Sequence, residues 1–257
     1  MPAEGGDARP RALLAWSGGK DAAWALHALR KRGKIDVVGL LSTITEGHER
    51  ASMQGVHVNV LRAQAAAAGL PLLESRIPQA CDNACYEGAF ATTLDEAREC
   101  WPGIGLIAFG DLLLADIRAW REALCARLGW TALFPLFGLG TAMLARDMLT
   151  GGLRAALCCV DSERLDPAFA GRDFDAALLG ALPADIDPCG ENGEFHTCVA
   201  DGPMFAAPLA LERGETILRE DRFAYTGFTV ATRCHSPSGT STCGSRGPCR
   251  RSGSSAS

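Results

Sequence analysis

No run of eighteen apolar residues occurs in the 257-residue chain, so no membrane-spanning helix is expected. The opening MPAEGGDARPRALL lacks the long apolar centre of a secretory signal. Basic charge is scarce: 25 Lys and Arg stand against 30 Asp and Glu, a net charge of −5. That argues against a nucleic-acid-binding surface, so neither DNA nor a membrane is expected as a partner. No internal repeat of solenoid length is visible. Cysteine is plentiful, but its eleven copies are odd in number and scattered, unlike a secreted disulfide framework. Most are read as reduced and buried, acting as small apolar residues, and the protein as cytoplasmic.

What the chain does have is apolar content, 47% of residues, enough for a substantial core. Short apolar runs alternate with helical patterns. Arg11–Trp16, Asp36–Ser42, Leu70–Ser75, Gly105–Asp111 and Leu153–Asp161 read as strands. Residues 22–32, 58–69, 85–100, 116–128 and 141–149 read as helices. This order predicts an α/β fold with a mostly parallel sheet and helices on both faces. Ligands of such sheets bind beyond the carboxyl ends of the strands, where Ser17–Asp21, Ser42–Thr45 and Gly110–Asp111 fall. After Pro183 the stretch DPCGENGEFHTCVADGPMF reads as a loop, followed by a small hairpin of residues 216–219 and 223–231. The expected organisation is a flexible start (1–10), an α/β domain (11–161), a smaller domain (162–233) and a disordered Ser- and Gly-rich tail (234–257).

The stretch AWSGGKDAAW, Ala15 to Trp24, joins a strand to a helix. A Gly-rich turn at a helix N-terminus points backbone N–H groups and partial positive charge at an anion. Ser17 adds a hydroxyl, Gly18 and Gly19 allow close approach, and Lys20 adds charge. Asp21 would repel phosphate unless a magnesium ion bridges the two. The spacing is neither a Walker A loop nor a GxGxxG fingerprint. A plain turn capped by Ser17 suits the same ten residues.

SGGKDA is similar to the SGGxDS signature of PP-loop ATP pyrophosphatases, which cleave ATP to AMP and pyrophosphate. SMQGV (52–56), FGDLLLADIRAWRE (109–122), FPLFGL (134–139) and DPCGENGEFHTCVADGPMF (187–205) resemble, in order, the blocks of the diphthine–ammonia ligase family. The resemblance runs from about Leu13 to Phe228 and suggests a bacterial-type member. It implies a Rossmann-like ATP-binding domain followed by a smaller α+β domain carrying the GENGEFHT block. It also implies ATP and Mg2+ as cofactors, and a carboxylate acceptor that is adenylated and then attacked by ammonia. The family's acceptor is a modified histidine of elongation factor 2. The Ala-, Arg- and Gly-rich composition looks like a high-GC bacterial genome, where that modification is not expected, so a small-molecule carboxylate stands beside an elongation factor 2-like protein as the acceptor. Two positions depart from the family pattern: Ala22 replaces a serine, and Gln54 stands where many relatives have histidine.

On this reading Ser17, Gly18, Gly19, Lys20 and Asp21 hold the pyrophosphate end of ATP, and Asp21 takes the metal. Ser42 and Thr43 are candidates for the adenine or ribose, and Gly110 and Asp111 for the nucleotide. Arg118, suited to a bidentate oxyanion contact, is assigned with Asn192 and Gly193 to the acceptor. Glu191, Glu194 and His196 are candidates for taking the proton that ammonium must lose. Each set also suits caps, solvated acids or a core histidine. Cys81 and Cys85, spaced C-x3-C, read as a helix start capped by Asp82 or Asn83. Cys234, His235, Cys243 and Cys249 fit no ordinary zinc spacing. A PP-loop enzyme of tRNA modification and a non-catalytic ATP sensor are the rival readings. A homo-oligomer and the source of ammonia are left open.

Overall fold

The computed structural model describes residues 9–52 and 55–231. Gln54, the segment 1–8 and the tail with Cys234, His235, Cys243 and Cys249 lie outside the described residues. The first sheet carries β1 (Arg11–Ala15), β2 (Asp36–Thr45), β3 (Arg50–Ala51), β4 (Leu72–Ile77), β5 (Leu106–Ala108) and β6 (Thr131–Leu133). Between them lie helices α1 (Lys20–Arg32), α2 (Val58–Ala68), α3 (Asn83–Cys100) and α4 (Ala115–Arg127). All pairings in this sheet are parallel except β3 against β2. Along β1 the side chains alternate between two cores, as a strand's twofold period requires. Leu14 joins Ala23 and Leu26 of α1 and Leu61 of α2; Leu13 joins Phe90 and Leu94 of α3 and Leu124 of α4. Helices therefore cover both faces, as the sequence predicts.

β1 lies between β2 and β5. The chain runs from β1 outward to β2 and β4, then returns to the other side of β1 for β5 and β6. The carboxyl end of β1 is thus the switch point of the sheet, where a crevice opens.

After α5 (Thr141–Thr150) comes a second, antiparallel sheet of β7 (Arg154–Asp161), β8 (Phe195–Asp201), β9 (Leu211–Arg219) and β10 (Phe223–Val230), in the order β8-β7-β10-β9. A short helix α6 (Ala176–Ala181) precedes β8. Three differences from the sequence reading have physical causes. β7, grouped in sequence with the first region, pairs with β8 and β10; it is buried at every residue after Arg154 and so serves as a central strand. β8 replaces the loop that the sequence suggests, because its apolar Phe195, Cys198 and Val199 sit inside a Gly- and acid-rich block. β9 begins at Leu211, since polar residues such as Glu212 and Arg213 are tolerated on an exposed edge strand. The β9–β10 turn uses Glu220 and Asp221 at φ 54° and 51°, the left-handed pair that a tight hairpin requires. No helix among the described residues is long and apolar enough to cross a membrane.

Candidate functional site

The turn after β1 is held from behind by the second sheet. The Gly18 carbonyl accepts from Val199 N at 3.0 Å and from Gln64 Nε2 at 3.0 Å. Lys20 N donates to Thr197 Oγ1 at 3.0 Å. Gly18 has φ 81°, and a Cβ there would lie 2.7 Å from Leu61 Cδ2 and 2.9 Å from Gln64 Oε1, so no other residue fits without displacement. Gln64 is fully buried; it also donates to the Val199 carbonyl at 2.7 Å and accepts from Trp16 Nε1 at 3.0 Å. The turn is preorganised by groups far away in sequence.

Lys20 is only 2% exposed. Its ammonium donates to Asp21 Oδ2 at 2.9 Å and to the Cys189 carbonyl, over the faces of Phe174 and Phe195. Burial works against its charge, but Asp21 and the other acidic groups nearby outweigh this and raise its pKa. Burial likewise pushes the Asp21 carboxyl above the usual range, against the pull of Lys20. Asp21 Oδ1 is buried with no hydrogen-bond partner. An orphaned carboxylate oxygen of this kind is a donor that would suit a hard cation. Among the described residues no group of three or more His, Cys, Asp or Glu is arranged to hold a metal ion by itself.

From the other side comes the loop between α6 and β8. Asp187 organises it: Oδ1 accepts from Cys189 N at 2.8 Å and Glu191 N at 3.3 Å, and Oδ2 from Thr141 Oγ1 at 2.6 Å. Glu194, 2% exposed, accepts from Asn192 N and Asn192 Nδ2, both at 2.9 Å, and from Asp187 N at 3.2 Å. Glu191 reaches across to the β5–α4 turn, where Oε1 accepts from Leu112 N at 3.1 Å and Leu113 N at 2.8 Å. Burial raises its pKa against these backbone donors. His196 is pushed down to about 4 by burial and by Lys20, so it is neutral at neutral pH. Gly110 closes the corner: a Cβ there would lie 2.8 Å from Ala22 N and 2.9 Å from Asp21 C.

Ser17, Gly19, Lys20, Asp21, Gly110, Asp111, Glu191, Asn192, Gly193 and His196 therefore line one cleft of about 770 Å³. Four expected residues are directed elsewhere. Ser42 is buried and donates to the Trp16 carbonyl at 2.5 Å, supporting the turn from below. Thr43 lies within β2, its carbonyl accepting from Ser52 N at 3.0 Å. Arg118 pairs with Glu122 at 2.8 Å and stacks over Phe134 and Phe137. Glu194 faces its own loop. Asp111 lines the cleft and is paired there with Arg121 at 2.7 Å. Asp82 caps α3 as the sequence suggests, accepting from Cys85 N at 2.8 Å.

The sequence reading missed Asp161, Arg164, Arg222 and Phe223, which line the same cleft. The signal is present: DSER (161–164) starts at the last residue of a buried strand and runs past its end, a strand-end position like that of Ser17–Asp21. It missed Asp187 and Gln64 because their work is internal hydrogen bonding, which no spacing reveals.

Comparison with known proteins agrees with this architecture. The diphthamide synthase N-terminal domain matches residues 10–132, and the diphthamide synthase C-terminal domain matches residues 141–230. Diphthine–ammonia ligase of Schizosaccharomyces pombe is 28% identical over 216 residues, covering 72% of this chain and 36% of the relative. Diphthine–ammonia ligase of Danio rerio is 31% identical over 130 residues, covering 48% of this chain and 51% of the relative. The chain thus spans about a third of the first relative and half of the second. With both domains matched in order, one on each sheet, the chain belongs to the diphthamide synthase family.

Proposed function

We propose that this chain is an ATP-dependent amide-forming ligase that adenylates a substrate carboxylate, releases pyrophosphate, and passes the acyl group to ammonia. One observation carries the reading. The SGGKD turn and the CGENGEFH block, some 170 residues apart in sequence, wall one cleft at the sheet's switch point and are tied together by Lys20 on the Cys189 carbonyl.

In the first half-reaction a carboxylate oxygen of the acceptor attacks the α-phosphorus, and the bond to the β-phosphate breaks. Ser17, Gly19 and the first turn of α1 hold the departing pyrophosphate, using backbone donors that are fixed before the substrate arrives. Lys20 anchors the floor of this turn rather than reaching out of it. Asp21 Oδ1 would hold Mg2+, which supplies charge neutralisation to the phosphates. In the second half-reaction ammonia attacks the acyl carbon and AMP leaves. Glu191, at the cleft with its pKa raised by burial, accepts the proton that ammonium gives up. Neutral His196 offers a lone pair or an N–H to the acceptor. Asn192 and Gly193 lie where the acceptor enters, and Glu194 and Asp187 hold the shape of that loop. Diphthine on a protein and a small-molecule carboxylate both fit this chemistry.

The test is isotope exchange. With magnesium and the acceptor present, supplied as purified diphthine-bearing elongation factor or as a small-molecule carboxylate fraction, labelled pyrophosphate enters ATP without ammonium. Exchange that needs ammonium, or none with either acceptor, rejects the adenylation order.

A further inference from the structure

We infer that Arg164 is the second half of the phosphate site, binding the nucleotide's polyphosphate from the wall opposite the SGGKD turn. The inference rests on the nucleotide reading above. A nucleotide triphosphate brings about four negative charges at neutral pH, into a cleft already lined by Asp21, Asp111, Asp161 and Glu191. The turn's own cation is committed: Lys20 sits 2.9 Å from Asp21 Oδ2 and also donates to the Cys189 carbonyl. The turn is therefore close to neutral in net charge, and its backbone dipoles alone meet the anion.

The other cations near the cleft are committed too. Arg222 grips Asp161 with two hydrogen bonds, at 2.9 and 2.6 Å, and lies 3.3 Å from Glu163. Arg121 is paired with Asp111 at 2.7 Å. Arg118, the arginine that sequence pointed to, is paired with Glu122 and stacked on phenylalanine rings away from the cleft lining.

Arg164 differs. It lines the cleft, its side chain is 50% exposed, and its nearest carboxylate oxygen, Asp161 Oδ2, is 3.7 Å away. That is attraction without a hydrogen bond. Both Asp161 oxygens are already used by Arg222, and Oδ1 also accepts from Glu163 N at 3.1 Å. The Arg164 guanidinium thus makes no hydrogen bond among the described residues, while its backbone is fixed. Arg164 N and Leu165 N donate to the Asp161 carbonyl at 3.0 and 2.9 Å, and Leu165 is buried behind it. A guanidinium with free donors, steered by one carboxylate and seated on an anchored turn, suits two phosphate oxygens at once.

The experiment titrates MgATP and, separately, AMP into the full-length protein and into its Arg164→Gln and Arg164→Lys variants. Losing a charge-assisted contact should weaken MgATP about ten- to a hundredfold in Arg164→Gln. AMP, which lacks the β- and γ-phosphates, should change about twofold or less, and Arg164→Lys should recover part of the MgATP affinity. Thermal midpoints should match in all three proteins, because no hydrogen bond is removed. Equal MgATP affinity in wild type and Arg164→Gln overturns this inference alone. An equal loss for MgATP and AMP also overturns it, since Arg164 would then not be reading the polyphosphate. Failure of the wild type to bind MgATP overturns the nucleotide reading and this inference with it.

Discussion

Glu191 joins the two halves of the cleft by placing its Oε1 2.8 Å from the backbone N–H of Leu113. The same oxygen accepts from Leu112 N, so one carboxylate satisfies the turn that leads into α4. This tie and the proposed proton-accepting role fall on one side chain, and two substitutions separate them. Glu191→Ala leaves these donors unmet and should cost about 1–2 kcal/mol of stability, read by urea denaturation. Glu191→Gln keeps an acceptor oxygen, so it should stay close to wild type in stability while lowering kcat through loss of the proton acceptor. Equal kcat in Glu191→Gln and wild type would remove Glu191 from the chemistry.

The SGGKD turn depends on space that only glycine leaves. Gly18→Ala puts a methyl group 2.7 Å from Leu61 Cδ2 on a backbone at φ 81°. The expected cost is about 2 kcal/mol from backbone strain and overpacking together. MgATP affinity should fall with it, because the backbone donors move. A variant that keeps both stability and affinity would show that the turn is not preorganised.

Gln64 should be among the most sensitive buried polar positions. It makes hydrogen bonds to Trp16, Gly18 and Val199 at 3.0, 3.0 and 2.7 Å. Gln64→Leu leaves the Trp16 N–H without its acceptor and takes a donor from each of two carbonyls. Since each buried group so exposed costs about 1–3 kcal/mol, a total of about 3 kcal/mol is expected in denaturant titration. A loss under about 0.5 kcal/mol, the range of ordinary surface changes, would contradict the network.

His196 sets part of the acid limit of the fold. Its folded pKa of about 4 lies below the ordinary value of 6.5, so the folded state favours the neutral ring. The stability this contributes is complete above about pH 6.5 and is lost as pH falls from there through 4. His196→Asn removes the titration, so its stability loss between pH 7 and 4.5 should be smaller than that of wild type, by on the order of 2 kcal/mol. The opposite slopes from Asp21 and Glu191, whose pKa values are raised, are common to both proteins and drop out of the difference. Parallel pH profiles would show that the imidazole is hydrated in the folded state.

Sequence was informative where local chemistry decides structure. Leu13 and Leu14 mark a strand buried on both faces, and Ser17–Asp21 marks its switch-point turn. The CGENGEFH block stood out by composition, but its division of labour did not. Asn192 and Gly193 face the cleft, whereas Glu194, two residues before His196, turns inward to tie the loop. A run of polar residues does not show which way each side chain points. Arg118 looked like an oxyanion ligand because it follows Gly110–Asp111, yet Phe134 and Phe137, brought in by tertiary contact, draw it aside. Arg164 and Arg222 reach the cleft only because β7 and β10 pair in the second sheet, a long-range pairing that no local pattern announces.

The central claim is that the SGGKD turn cleaves ATP between the α- and β-phosphates. Its most direct test is to identify the nucleotide products formed from ATP, magnesium, ammonium and acceptor by wild type and by Asp21→Asn. The account predicts AMP and pyrophosphate from wild type and neither from the variant, whose amide can no longer hold the metal. ADP and phosphate from wild type, or an undiminished rate in Asp21→Asn, would contradict it.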